Sequence, residues 1–328
     1  MARVQQAWQG CLVALVALGL GLGSACKKED GKSGAGGGAM GGGGAADDLS
    51  LISSDAELVM GINFAQVQGS ALWKQFVEPK LMAGDAQAKV KEFKDACGMD
   101  PMTAVKSVSF GISKMTSSSP DVVVVMHGLD KTKSLACLDN PKIKEQMAKD
   151  GGGYTREGEV GLLKGKDGKQ AAFQFVTDDA AVLVAGDNVT AASIKAVVSG
   201  GNKLKDSKAF VEMYGKVKTG DTLWFFLNGN SSVMAKVPGN DKPRAVFGSL
   251  NVADGLSVDV RARFEAAEAA KKFADQLNQQ LPAVQGFVKL DKTEVAADGG
   301  DLKIAVSMSG ASLQENLSKL GPMMGGGM

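Results

Sequence analysis

The amino-acid sequence predicts an α+β fold of mainly antiparallel sheets with packed helices. Short stretches rich in β-branched residues alternate apolar and polar positions, and helical stretches repeat their apolar residues at three-to-four spacing. Most strands come in neighbouring pairs with Asp-Gly turn signals between them, at 167–168, 254–255 and 298–299. A parallel sheet requires regular β-α-β alternation, which this sequence does not show. The order of elements further predicts two similar halves, each close to β-α-β-β-α-β-β-α, the first with one extra strand.

The first half covers residues 49–200. Asp121–Gly128 reads DVVVVMHG, a run typical of a buried strand. Asn140 and Pro141 mark the beginning of a helix, as N-cap and first helical residue. The remaining elements follow from the same patterns. We predict strands at 57–64, 107–113, 121–128, 158–164, 170–177 and 180–186, and helices at 70–77, 85–96, 131–138, 141–149 and 189–198.

The second half covers residues 201–320. Ser207 is placed to cap its first helix, and the longest helix carries Phe273, Leu277 and Leu281 on one stripe. Leu302 begins an alternation that continues through Met308 and predicts a half-buried strand. We predict strands at 222–228, 244–251, 256–264, 287–296 and 301–308, and helices at 208–217, 231–236, 265–281 and 311–320.

Residues 1–25 have the three parts of a secretory signal. Arg3 is followed by an uncharged twelve-residue run from Cys11 to Leu22, and then by Gly-Ser-Ala before Cys26. The run is too short for a transmembrane helix, which needs about 20 apolar residues. The segment LGSAC at 22–26 resembles the lipobox of bacterial lipoproteins, although Gly23 stands where the lipobox usually has Leu. The resemblance implies acylation of Cys26. The alternative is a plain secretory signal cleaved near Ala25, which leaves Cys26 as an ordinary thiol.

A glycine-rich segment separates Cys26 from the predicted folded part. Nine of the fourteen residues from Gly31 to Gly44 are glycine, a composition typical of a flexible tether, so we assign 26–48 to a lipid-anchored tether. A Met/Gly tail occupies 321–328. Lys27 follows the cysteine, and this resembles lipoproteins sorted to the outer membrane. We therefore expect a lipid-anchored envelope location, with the outer membrane favoured over the inner membrane.

The stretch CGMDPMTAVKSVSFGI at 97–112, followed by DVVVVMHGL and LACLDN, carries a wider resemblance. It is similar to uncharacterised exported lipoproteins of myxobacteria and their relatives, which share a lipobox, a low-complexity tether and a C-G-x-D-P pattern before a strand. The similarity covers most of residues 50–310. Its motifs are structural, so it implies location and fold and brings no known activity.

Charge limits the classes of partner. The sequence has 37 Lys and Arg against 36 Asp and Glu, and removal of Arg3 with the signal takes the formal charge from +1 to zero. A neutral chain with mixed signs has no electrostatic footprint for nucleic acid. The expected partners are therefore the membrane, through the N-terminal lipid, and another envelope protein.

Two cysteines remain once Cys11 is removed and Cys26 is acylated. Cys97 ends a predicted helix and Cys137 lies in a later one, and an even pair in an exported chain predicts a disulfide. The alternative is two buried free thiols that act as small apolar groups. A zinc site is not predicted, because paired Cys or His spacing is absent from the sequence.

No catalytic motif stands out. His127, the single histidine, ends a strand, where a satisfied structural side chain is commoner than a general base. Ser232 and Lys236 share helical spacing, which arises often by chance. The acidic pairs Asp47-Asp48 and Asp178-Asp179 are typical of solvated turns rather than of an acid/base dyad. GLLKGKDGK at 161–169 lacks the Ser or Thr of a phosphate loop and fits a hairpin.

Methionine is the remaining candidate metal ligand. Met323, Met324 and Met328 lie in the tail, and thioethers bind Cu(I). They lack partnering Cys or His residues, so we predict no metal, no cofactor and no catalytic residue. The sequence favours a lipid-anchored, non-enzymatic binding or interaction protein of the cell envelope. The alternatives are an envelope hydrolase with a spatially assembled site and a carrier of an apolar ligand.

Overall fold

A computed structural model describes residues 48–81, 86–236, 242–285 and 288–316. The signal segment, Cys26, the glycine-rich run and the tail at 321–328 lie outside these residues. In chain order the elements are β1 (Leu58–Asn63), α1 (Phe64–Gly69), a π-helical turn (Trp73–Val77), α2 (Glu78–Leu81), α3 (Ala86–Cys97), β2 (Ser107–Ser113), β3 (Asp121–His127), α4 (Lys131–Asp139), α5 (Pro141–Lys149), β4 (Gly153–Glu157), β5 (Val160–Lys164), β6 (Gln170–Phe175), β7 (Ala180–Gly186), α6 (Ala191–Ser199), a 3-10 turn (Leu204–Asp206), α7 (Lys208–Tyr214), β8 (Leu223–Asn228), a 3-10 turn (Met234–Lys236), β9 (Ala245–Asn251), β10 (Gly255–Arg263), α8 (Ala267–Gln285), β11 (Lys292–Asp298), β12 (Asp301–Ser309) and α9 (310–316).

The predicted α+β class is confirmed, and the strands that pair within each unit of the described chain are antiparallel. The chain divides into two compact units. The first contains the described residues up to Ala56 together with Lys74–Ser207, and the second contains Glu57–Trp73 together with the described residues from Lys208 onward. We had assigned β1 to the first half, but it pairs with β8 and belongs to the second unit.

The first unit is built on six strands in the order β2-β3-β7-β6-β5-β4. Alternation along the strands gives the sheet two apolar faces. One face carries Val125, Ala172 and Val182, which pack with Ile194 of α6 in a fully buried cluster. The other face carries the side chains next to these in sequence, including Met126, Phe173 and Leu183, all of which are buried. Because both faces are apolar, each must be covered by other elements.

Two elements of the predicted first half differ from the predictions. The strand β4 was missed, because Gly158 turns the chain with a φ of +65°, so that residues 153–164 form a hairpin rather than one strand from 158. In the other case, residues 71–77 are helical as predicted, the last five as the π-helical turn, but an unpredicted helix precedes them: α1, which begins at Phe64. It begins there because the Asn63 side chain accepts a hydrogen bond from the Gln66 amide and caps the helix.

The second unit has the strand order β1-β8-β9-β10-β12-β11. The long helix α8 covers one face of its outer strands through a cluster of Phe264, Ala270, Ala274 and Leu302. Around this cluster lie Phe273, Leu277 and Ile304, which the sequence pattern had placed on the inward sides of the helix and strand. The helix continues through Pro282 to Gln285, beyond its predicted end.

Aromatic side chains pack together elsewhere in the second unit, where α7 meets the strands β8 and β9. Phe210 of α7 lies edge-on to Phe226 with ring centres 4.7 Å apart, and Tyr214 lies edge-on to Trp224 at 5.3 Å. Phe226 in turn stacks on the fully buried Phe247. Aromatic contacts of this kind add about 0.5–1.5 kcal/mol each beyond the burial of area.

The two units share one topological feature. In each, a strand is followed by one or two helices and then by an antiparallel meander, whose last strand returns to pair with the strand before the helices. The meander has four strands in the first unit, β4 to β7, and two in the second, β11 and β12. The predicted duplication stays a prediction, because each unit has six strands but the two meanders differ in length.

Candidate functional site

A cavity of about 80 Å³ lies in the first unit, between the helices α3 and α4 and one face of the sheet. It opens to the surface of that unit. Apolar side chains make up almost all of its wall. The lining residues come from α3 and the loop after it, from β3 and the loop after it, and from α4, β6 and β7: Phe93, Met99, Pro101, Ala104, Val105, Met126, Leu129, Ser134, Cys137, Leu138, Phe173, Phe175, Ala181 and Leu183.

The floor of the cavity follows from strand alternation and from one small residue. Ala181 of β7 pairs across the sheet with Met126 on one side and with Phe175 on the other. Its side chain is a single methyl group between two large neighbours, so the sheet is indented at this position. Phe173 and Leu183 pair with each other and continue the same apolar face. The sequence pattern predicted this face, but it contains no signal for the gap above it.

The predicted disulfide between Cys97 and Cys137 is confirmed, with their Cα atoms 4.4 Å apart. Cys97 is the last residue of α3 and Cys137 lies in α4, so the bond ties together the two helices that cover the sheet face. Cys137 also lines the cavity. The disulfide therefore holds one wall of the cavity in place, and the alternative of two free thiols is not what the structure shows.

Polar atoms are rare in this wall. Ser134 of α4 is the polar residue among the lining side chains, and its Oγ is buried with no hydrogen-bond partner. Nearby, Tyr154 stacks on Phe173 with ring centres 6.1 Å apart, and Lys144 Nζ lies 5.7 Å from the centre of the Tyr154 ring. Burial raises the pKa of the Tyr154 phenol, with a smaller contribution from the charge of Asp139.

The chemistry of the cavity follows from its lining. The described residues that line it carry no carboxylate, imidazole, amine or guanidinium group. General acid–base catalysis needs such a group within hydrogen-bond reach of the reacting atoms. An apolar wall is instead suited to contact with an apolar group.

His127 is placed differently. It lies at the end of β3, and because neighbouring strand residues point to opposite faces, it is on the other side of the sheet from Met126 and the cavity. Its Nε2 lies 2.7 Å from Oδ1 of Asp48. The sequence predicts a solvated turn or edge for the pair Asp47-Asp48; Asp47 lies outside the described residues, and for Asp48 the prediction is wrong. Its side chain is 3% exposed, because it is enclosed against His127.

The other candidate residues from the sequence lie outside the cavity lining. The amide and Oγ of Ser232 both donate to Oε2 of Glu57, at 3.0 and 2.6 Å, so this hydroxyl is engaged by a carboxylate. Asp178 and Asp179 are exposed in the turn between β6 and β7, as predicted. The segment at 161–169 leads into the hairpin between β5 and β6, also as predicted.

A buried ionic cluster in the second unit was not predicted. Asp301 is 1% exposed, and its carboxylate accepts hydrogen bonds from Arg263 and, at 2.7 Å, from Lys216 Nζ. Burial alone would raise the pKa of Asp301, but the hydrogen bonds from Arg263 and Lys216 outweigh it and lower the pKa. Glu212 contacts Arg263 from the outside at 3.2 Å. The charges balance one another, so the cluster has a structural role.

Among the described residues there is no cluster of three or more His, Cys, Asp or Glu side chains suited to a metal ion. The tail methionines Met323, Met324 and Met328 lie outside those residues. Within the same ranges, none of the helices has the length and apolar character needed to cross a membrane.

Comparisons with protein-family models, with curated proteins and with solved structures found no match to this chain.

Proposed function

We propose that this chain is a lipid-anchored, non-enzymatic binding protein of the cell envelope, and that its first unit binds an apolar group in the cavity under α3 and α4. The observation that carries the proposal is the cavity itself, with its apolar wall and its opening to the surface. A fully packed core at this position would leave no space for a ligand. The alternative of an envelope hydrolase gains no support from a lining that has no ionisable group.

The size of the cavity limits what it can enclose. A cavity of about 150 Å³ lined by apolar side chains encloses benzene. The present one, at about 80 Å³, has about half that volume and is open, so it admits a narrow chain whose remainder lies outside. The sequence left open that the protein carries an apolar ligand. Among the forms of binding considered, the described residues support this one best.

The ligand can be tested by extraction of the purified full chain with organic solvent, followed by mass spectrometry of the released molecules. The variant Val105→Phe places a ring in the cavity and should release much less of the bound molecule. Ala136→Phe adds the same ring to an exposed position of α4 and serves as the matched control. Equal release from the two variants, or no bound apolar molecule in the unaltered chain, would contradict the proposal.

The anchor is a separate part of the proposal and rests on the sequence of residues 1–26. Acylation of Cys26 would hold the protein firmly in the membrane. A single acyl chain gives only weak, reversible membrane binding, and a lipobox cysteine carries at least two chains. Mass spectrometry of the mature N-terminus should show a diacylglyceryl group on Cys26. A free thiol at Cys26 would refute the predicted anchor. So would a Cys26→Ser variant that fractionates with the membranes in the same amount as the unaltered protein. Retention in the outer-membrane fraction tests the expected location.

A further inference from the structure

We infer that helix α3 is a lid of the apolar cavity, which turns about its C-terminal end and closes the cavity with the side chain of Phe93. This inference rests on the proposed function, because it states how a ligand enters the same cavity. Three features of the first unit carry it: the unequal burial along α3, the place of the bonds that hold the helix, and the glycine that follows it.

Burial along α3 increases toward its C-terminal end. Residues 87–89 are exposed, whereas Cys97, the last residue of the helix, is 6% exposed. Val90 and Phe93 continue the stripe of Cys97 at three-to-four spacing, and both are half-buried. Phe93 is the residue of α3 that belongs to the cavity lining. A helix that buries so few apolar groups can open locally while the rest of the domain stays folded.

The bonds that hold α3 to other elements of the described chain lie in its last turn. The disulfide joins Cys97 to α4, and the carbonyl oxygen of Ala96 accepts a hydrogen bond from Asn140 Nδ2 at 2.9 Å. Lys94 Nζ lies 3.3 Å from a carboxylate oxygen of Asp100. Because these contacts are all at one end, the other end of the helix can swing away from the sheet without breaking the disulfide.

Gly98, directly after α3, provides the turning point. Its φ is +63°, and a Cβ at this position would meet nothing within 4 Å, so the backbone has both the freedom and the space to rotate. The chain beyond it is fixed. The Asp100 carbonyl oxygen accepts from the Ala104 amide at 2.9 Å. The Lys106 amide donates to the His127 carbonyl oxygen of β3 at 2.8 Å. Hinges absorb rotation at residues of this kind, at the end of an element and between rigid segments.

A rotation at Gly98 acts on the cavity through Phe93. At about 1.5 Å of rise per residue, Phe93 lies about 7 Å from the hinge, so a rotation of about 30° moves it by about 4 Å. The ring then leaves the cavity lining, and the opening widens for the narrow apolar chain that the cavity admits. When the helix returns, the ring covers the part of the ligand that lies inside.

Hydrogen exchange of the purified full chain tests the seat of the lid without a ligand. Phe93→Ala should raise the exchange rates of amides 90–93 about tenfold, because a half-buried ring favours the closed helix by about that factor. Glu92→Ala is the matched control, since Glu92 is exposed on the same helix. Both changes introduce the best helix former, so helix propensity alone would slow exchange in both variants. Equal rates in the two variants would overturn the inference.

Ligand kinetics test the hinge, which a rigid cavity wall does not need. The probe is n-hexane. Met99 and Met126 line the cavity, and exchange broadening of their labelled methyl signals gives the association and dissociation rates of the probe. Gly98→Asn introduces a residue that tolerates positive φ but restricts rotation. Both rates should therefore fall about three- to tenfold while the dissociation constant stays the same, because a stiffer hinge slows entry and exit alike.

Gly158→Asn is the matched control for the hinge. Gly158 has a φ of +65° in the turn between β4 and β5, and a Cβ there would likewise meet nothing within 4 Å. This variant should change neither rate. If n-hexane binds but Gly98→Asn leaves both rates unchanged, or slows dissociation alone, the lid is overturned and apolar binding stands. If n-hexane shifts neither methyl signal, the proposed function fails and the lid fails with it.

Discussion

His127 Nε2 lies 2.7 Å from Asp48 Oδ1, so the single histidine of the chain contacts a carboxylate 79 positions before it. Asp48 is buried, and its carbonyl oxygen accepts from the amides of Leu51 and Ile52. The segment after Asp48 then pairs with the end of the first unit, where the Leu204 amide donates to the Ile52 carbonyl. The histidine therefore fixes the place where the predicted tether meets the first unit.

Substitution His127→Ala should loosen this junction. It leaves the buried Asp48 carboxylate without this contact, at a cost of about 1–3 kcal/mol. Hydrogen exchange should become faster at the amides of Leu51 and Ile52. His127→Gln, which retains a donor, should show a smaller change. Unchanged exchange at these two amides in His127→Ala would show that the pair does not hold the segment.

The buried carboxylate of Asp301 should be important for stability. Asp301→Asn leaves Arg263 and Lys216 without their shared anion, and breaking a buried ion pair costs about 3–5 kcal/mol. The matched control is Asp298→Asn, because Asp298 is 64% exposed and pairs with Arg261 at 2.9 Å. Exposed pairs contribute at most about 1 kcal/mol. Thermal or denaturant unfolding should separate the two variants, and equal losses would contradict the role given to Asp301.

The same residue predicts a pH dependence. Its pKa in the folded protein is below the ordinary value of 3.8, so its stabilising contribution is fully present above that value. The contribution is lost as the pH falls through the lower, folded pKa. The stability difference between the unaltered chain and Asp301→Asn should therefore be constant near neutral pH and shrink below about pH 4. Unfolding curves measured from pH 7 to pH 2.5 test this, and a difference that does not change with pH would count against it.

The disulfide gives a fourth prediction. Reduction of the bond between Cys97 and Cys137 should lower the free energy of unfolding by about 2–4 kcal/mol, because the two cysteines are 40 residues apart in sequence. The double variant Cys97→Ser/Cys137→Ser should show the same loss and no further response to a reductant. If the reductant destabilises the double variant equally, the effect comes from elsewhere in the chain.

A glycine in β1 gives the last prediction. Gly61 pairs with Trp224 of β8, and a Cβ at Gly61 would lie 2.1 Å from the indole nitrogen. Gly61→Ala must displace the buried ring, at a cost of about 1–3 kcal/mol. Gly69→Ala is the control, because a Cβ there meets nothing within 4 Å. Near-UV circular dichroism and denaturant unfolding should distinguish the two, and an unaltered Trp224 signal in Gly61→Ala would refute the close packing.

Much of the fold was readable from local signals. The Asn140-Pro141 start of α5, the strand β2 and the stripe of α8 are all encoded by nearby residues, because caps and apolar periodicity act over a few positions. The disulfide was predicted from cysteine count and compartment. The strand β4 was missed, because its residues GYTRE carry little apolar alternation and are largely exposed.

The candidate site was not readable in this way. The cavity exists because Ala181 is flanked by Met126 and Phe175 across the sheet, while a disulfide fixes the helices above it. These contacts join residues that are far apart in the sequence. The burial of Asp48 against His127 and the cluster around Asp301 likewise depend on residues up to 85 positions apart.

The sequence by itself determined the fold class and the paired cysteines, and it predicts the export signal, since each depends on composition or on periodicity within short windows. Only the tertiary structure decided that Asp48 is buried, that β1 belongs to the second unit and that an apolar cavity lies beneath α3 and α4. The physical reason is that burial, strand pairing and empty volume are set by which surfaces meet, and a local pattern specifies a surface without specifying its partner.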